Sequence, residues 1–166
     1  MLRRLTFLVA TTVAVGSCGT EDGQSVERGA QVYAAVIRAL VSEPPGHPDT
    51  EAEGSDRVVY AGPLDEKADI SLGVQVAVVE ELDEFATIRF VDARNEAIDD
   101  HRRDRPVRES GVLVLLGAVP DGRTPSIEAA RYVDVDDAAR FRVKVERSRG
   151  QWRVVDVDGI ADRSAA

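Results

Sequence analysis

The chain has little of what most protein chemistry is built from. Its 166 residues include one cysteine, two histidines and only two lysines. A single cysteine excludes a disulfide within the chain and any cysteine-rich metal cluster. Aromatic residues make up 5%, so a core has to be aliphatic. The longest predominantly apolar stretch, Leu5–Val15, has eleven residues, short of the roughly 20 that cross a bilayer as a helix. No GxGxxG or GxxxxGK[ST] pattern marks a phosphate-binding loop. Positive charge is scarce as well: 21 basic residues stand against 30 acidic ones, for a net charge of −9. Such a surface is repelled by nucleic-acid phosphates and by anionic lipid heads.

The N-terminus is where the sequence is most specific. Arg3 and Arg4 precede the Leu5–Val15 run, and Val15-Gly16-Ser17-Cys18 follows. A short positive segment, a short apolar core and small residues have the form of an export signal. The four residues ending at Cys18 resemble the lipobox of bacterial lipoproteins. That resemblance implies a diacylglyceryl group on the Cys18 sulfur and cleavage just before it, leaving the protein lipid-anchored on the extracytoplasmic face of the cell membrane. An ordinary signal peptide, or a buried N-terminal strand that happens to hold a cysteine, is the alternative. Two acyl chains anchor stably where one is marginal, and loss of residues 1–17 takes two arginines, moving the net charge to −11. The expected organisation is a signal peptide over 1–17, a lipidated tether over 18–24, one α+β domain over 25–160 and a tail over 161–166.

Within the domain, Val26, Ala30, Tyr33, Ile37, Leu40 and Val41 recur at helical spacing. Ser25 caps the start and Pro44-Pro45-Gly46 ends the helix. Residues 43–56 (EPPGHPDTEAEGSD) read as an exposed loop, and RVVYAG (57–62) as a short strand. ISLGVQVAVVEELDEF (70–85) carries two periods: Ile70, Leu72, Val74, Val76 and Val78 alternate, while Leu72, Val76, Val79 and Leu82 form a helical stripe. The reading leans to a helix, against four acids at its C-terminal end that the helix dipole disfavours. ATIRFVD (86–92) is a strand and DDHRRDRPVRES (99–110) a charged loop. GVLVLLGAV (111–119) is apolar on both faces, predicting a central strand whose second face is covered by the other helix or by another subunit. SIEAARYVDV, the alternating stretch around Phe141, Val143 and Val145, and WRVVDV follow as strands joined by short turns. The class is α+β: an N-terminal amphipathic helix on a curved, mainly antiparallel sheet, with a second helix over 70–84. Cystatin-like and NTF2-like layouts offer an analogy of arrangement only. VYAAVIRALV, VVY, IRFV, GVLVLLG and WRVVDV, in that order, resemble a group of uncharacterised secreted actinobacterial proteins. Arginine supplies nineteen of the 21 basic residues, which fits a GC-rich genome of that kind. This likeness rests on core-forming segments and carries no catalytic residue.

Candidate sites are few. His101 lies among Asp99, Asp100 and Asp104, so a carboxylate-oriented general base is conceivable, with a solvated, charge-balanced loop as the simpler reading. His47, among prolines, reads as exposed and inert. Asp134, Asp136 and Asp137, and Asp156, Asp158 and Asp162, suggest cation ligands, yet neither set places a carboxylate at the twelfth position of a calcium loop. Turn formation and strand-edge charge explain them. Gly111 and Gly117 bracket the apolar strand as boundaries. Tyr33, Phe141 and Trp152 could line an apolar ligand pocket, or simply be core. The expected function is therefore a lipid-anchored accessory, binding or interaction module of the cell envelope, not an enzyme. The alternatives are a small ligand-binding domain and a hydrolase using His101 with Asp99 or Asp100. No cofactor, metal or nucleic-acid partner is expected; the expected partners are the membrane, through the lipid, and an envelope protein or small ligand.

Overall fold

The computed structural model describes residues 20–42, 57–65, 67–99, 101–102 and 106–160. Cys18, His47, Asp100, Asp104 and Asp162 lie outside the described residues. Helix α1 runs over Thr20–Val41, strand β1 over Val58–Pro63 and helix α2 over Leu72–Leu82. Strand β2 (Thr87–Phe90) and a one-turn helix, α3 (Arg94–Ala97), come next. Four consecutive strands complete the domain: β3 (Val112–Leu116), β4 (Ser126–Tyr132), β5 (Ala138–Ser148) and β6 (Gln151–Ile160). They form one six-stranded sheet in the order β2-β1-β3-β4-β5-β6. The sheet is mostly antiparallel and open, so the α+β class holds. Its parallel part is confined to β1, which pairs with β2 on one side and β3 on the other. That part follows from connection length: α2 and the 94–110 segment carry the chain back before β2 and β3, whereas short turns force β3 to β6 into hairpins.

Both long helices lie on one face. Val32, Val36 and Ile37 of α1 are completely buried, as are Val78 and Leu82 of α2. They share one apolar cluster with Val59, Val114, Ile127, Val143 and Val145 of the sheet. Each such side chain contributes about 1.5–3 kcal/mol on burial. The helices run side by side in the same direction, with Gly29 against Val74 near their starts and Arg38 against Glu81 near their ends. Arg38 resolves the conflict in α2. Its guanidinium donates to the Glu81 carbonyl at 2.7 Å and to the Glu81 carboxylate at 3.3 Å, placing a cation where the helix dipole is negative. The helical reading of 70–84 therefore holds despite its acids.

Two expectations change. Helix α1 starts at Thr20, five residues before the expected cap Ser25, so residues 20–24 are helical. Gly23 lies within this turn, where a lone glycine costs a helix only about 1 kcal/mol. The second face of β3 is not covered by α2. Tyr60, Val91, Ala97, Val107 and Leu113 form a separate buried cluster there. Ile98 and Val107 form an antiparallel bridge, which brings the two ends of the charged 99–110 segment together beside the sheet. Its few apolar residues are too widely spaced to show a period, which is why the segment reads as solvated.

Replacing Leu82, fully buried under the sheet, by alanine is expected to lower the unfolding free energy by about 2–5 kcal/mol. Leu72→Ala, at a side chain 73% exposed on the same helix, should change it by no more than about 0.5 kcal/mol. Urea denaturation of the two variants checks the difference, and equal losses would contradict the placement of α2.

Candidate functional site

The face of the sheet opposite the helices carries most of the polar organisation. Tyr60 of β1 is buried, and its hydroxyl donates to the Glu109 carboxylate at 3.1 Å. Arg89 of β2 pairs with the same carboxylate oxygen and stands 6.0 Å from the centre of the Tyr60 ring. Burial, reinforced by the Glu109 carboxylate, pushes the Tyr60 phenol above its ordinary value. The carboxylate likewise raises the Arg89 guanidinium. Glu109 reaches this position through strained backbone. Glu109 and Ser110 both have φ of 55°, a left-handed conformation that costs a non-glycine residue about 1–2 kcal/mol. The chain then passes so close to β1 that a Cβ on Gly111 would lie 2.6 Å from the Val58 carbonyl oxygen. Gly117 meets the same limit at 2.7 Å from the Glu128 carbonyl oxygen. Both glycines are thus strand boundaries fixed by close backbone approach.

Two clefts open on the described surface. One, of about 440 Å³, lies on this far face, floored by Leu113, Leu115, Ala130 and Tyr132 and edged by Arg94 and Arg140. The Arg94 guanidinium stacks 4.5 Å from the centre of the Tyr132 ring. An apolar floor with guanidinium groups at the rim suits a small molecule with an apolar body and an anionic end. The other cleft, of about 460 Å³, is a groove between α1 and the outer edge of β6, bounded by Ala35, Arg38, Ala39, Glu81, Trp152 and Val154.

The residues singled out from sequence are scattered. The Tyr33 side chain is buried, and its hydroxyl donates to the Gly117 carbonyl at 3.1 Å. Burial pushes its phenol above the ordinary value. Phe141 and Trp152 are half-buried against the main core. Neither cleft is lined by Tyr33 or Phe141, and Trp152 lines only the groove beside α1. Arg28 stands over the Trp152 ring at 5.5 Å. His101 is exposed in a turn, where its backbone amide donates to the Asp99 carboxylate at 3.1 Å. Asp134 accepts from the amides of Asp136 and Asp137, both at 2.8 Å, and so closes the β4–β5 turn. Asp156 and Asp158 lie opposite Lys144 and Arg142 on the paired strand. Among the described residues no cluster of three or more His, Cys, Asp or Glu side chains could hold a metal ion. No described helix is long and apolar enough to cross a membrane. Sequence reading missed the Tyr60–Arg89–Glu109 cluster, because residues so far apart in the chain leave no local signature.

Comparison with protein-family models, with curated proteins and with solved structures finds no match.

Two outcomes test this geometry. Ser110→Gly should stabilise the domain by about 0.5–1 kcal/mol, since glycine adopts φ of 55° freely; a loss of stability in thermal unfolding would show that the hydroxyl matters more than the strain. The raised Tyr33 phenol binds its proton more tightly when folded. Its stabilisation is therefore complete below the unfolded value of about 10 and lost as pH rises past it. Denaturation midpoints should fall above pH about 10, and Tyr33→Phe should reduce the slope of that fall.

Proposed function

We propose that the protein is an extracytoplasmic lipoprotein, anchored to the outer face of the cell membrane through Cys18, whose folded domain serves the envelope as a non-enzymatic binding or interaction module. The observation that carries the reading is the order of the N-terminal residues. Arg3-Arg4, the Leu5–Val15 run and Val15-Gly16-Ser17-Cys18 follow one another, and the folded domain starts two residues later at Thr20. Two residues of chain span at most about 7 Å, so an acyl-bearing Cys18 would hold the domain directly at the membrane surface. A mature charge of −11 leaves lipid, not charge attraction, to hold the domain at an anionic bilayer. The binding half of the reading is supported by the far-face cleft and by the groove beside α1, each concave and each lined by both apolar and charged groups.

Radiolabelled palmitate fed to bacteria expressing the full chain should enter the protein and fractionate with membranes. Cys18→Ala should abolish both. Absence of label from the unaltered chain, or its retention in Cys18→Ala, would overturn the anchoring half.

A further inference from the structure

The two edges of the sheet are protected very differently. Strand β2, at one edge, has four residues, Thr87–Phe90. Strand β6, at the other, has ten, Gln151–Ile160. It contains no proline or lysine, two of the residues that commonly blunt an exposed edge. Among the described residues β6 pairs only with β5, so its outer backbone donors and acceptors have no sheet partner. Val155 and Val157 are 51% and 41% exposed. The groove between α1 and this edge is open.

We infer that β6 is the contact surface for a second copy of this chain, the two β6 strands pairing antiparallel about a two-fold axis to continue the sheet. The register follows from pairing the strand with itself over its whole length. Gln151 then faces Ile160, Trp152 faces Gly159, Arg153 faces Asp158 and Val154 faces Val157. Arginine meets aspartate, valine meets valine, the one tryptophan covers a glycine, and at the axis Val155 faces Asp156. A tighter condition is that facing residues of an antiparallel pair must point to the same side of the sheet. In an uninterrupted strand this register fails, because residues an odd number apart alternate sides. The register of β6 on β5 shifts between Lys144 and Val145: Lys144 faces Asp156, but Val145 faces Val154. Val155 is therefore an extra residue, and the alternation slips by one at the middle of the strand.

With that slip the sides agree. Val154 and Val157 lie opposite the buried Val145 and Val143, on the helix side. Trp152 packs on the same core, and Gly159 lies opposite Phe141 on that side. Arg153 and Asp158 lie opposite Glu146 and Arg142, both on the other side. A bulge defends an edge against a foreign strand by spoiling its register. Against its own copy the same displacement occurs on both strands beside the axis, and it cancels. Val157 and Gly159 of the second copy would then close the open side of the groove at Ala35 and Ala39. Closed two-fold symmetry of this kind is the commonest form of protein association.

This deepens the interaction-module reading by naming the partner, and it does not require the lipid. The full-length chain in mild detergent should contain two copies per particle by light scattering, with detergent mass subtracted. Arg153→Asp and Asp158→Arg should each weaken the dimer at least about tenfold, and Val157→Lys should yield monomer. The combined exchange Arg153→Asp/Asp158→Arg should restore the dimer to within about threefold. Within one chain that exchange leaves both altered residues facing like charges, Glu146 and Arg142, so restoration can only come from between chains. A monomer at about 50 µM in the unaltered chain, single variants that dimerise normally, or an exchange that stays monomeric would each overturn the inference. Thermal unfolding of every variant identifies any that fails to fold, and Val157→Lys then decides in its place. Cys18→Ala separates the two proposals: it should lose palmitate and keep the dimer.

Discussion

The packing of α1 across the sheet is the contact on which the rest of the structure depends. Its buried side chains meet residues from β1, β3, β4 and β5 in one cluster, and its polar side chains hold the periphery. Arg28 donates to the carbonyls of Pro120 at 2.7 Å and Gly122 at 3.2 Å, tying down the β3–β4 turn, and it also covers Trp152 on β6. Arg38 ends α2. From the other side, Arg57 donates to the Val41 carbonyl at 3.0 Å and ends α1 itself. With so few aromatic residues, no single large side chain could span the interior. A long helix with an aliphatic stripe does that work, and guanidinium groups reach from it, or to it, at three points.

This arrangement explains what could be read in advance and what could not. Order and type of the main elements follow from local period. The stripe of α1, the two-sided apolar run of β3 and the alternation around Val143 and Val145 are each set by which faces are buried. The helical form of α2 needed a partner from elsewhere, Arg38, to offset its acids. The parallel pairing of β1 with β3 and the cover over the far side of β3 depend on contacts between distant segments, and Ala97, Ile98 and Val107 give no period to announce them. The same limit governs the candidate sites. Asp134 was legible as a turn former because its partners are two and three residues away. Tyr60, Arg89 and Glu109 meet only because β1, β2 and the strained turn before β3 are brought together by the fold.

The polar features of the two faces differ in kind. On the far face, charges on neighbouring strands oppose one another in register, as Arg142 and Asp158 do, with Glu128 also 3.3 Å from Arg142. These exposed pairs contribute little stability and serve to fix which residues may face which. At Glu109 the domain instead spends backbone strain to place a carboxylate between a phenol and a guanidinium. Strain of that sort persists only where surrounding contacts over-determine it, and Gly111, pressed against β1, is one of those contacts.

The reach of Arg28 from the first helix to the last strand also sets the order in which the domain can form. The β4–β5 and β5–β6 hairpins join neighbours in the chain and close small loops. Helix α1 has no sheet to cover until those strands exist, because its contacts are with segments made after it, β6 last of all. Closing that long loop is the slow, entropically costly part of assembly. A truncation that removed β6 would leave α1 without part of its floor, however intact the remaining strands.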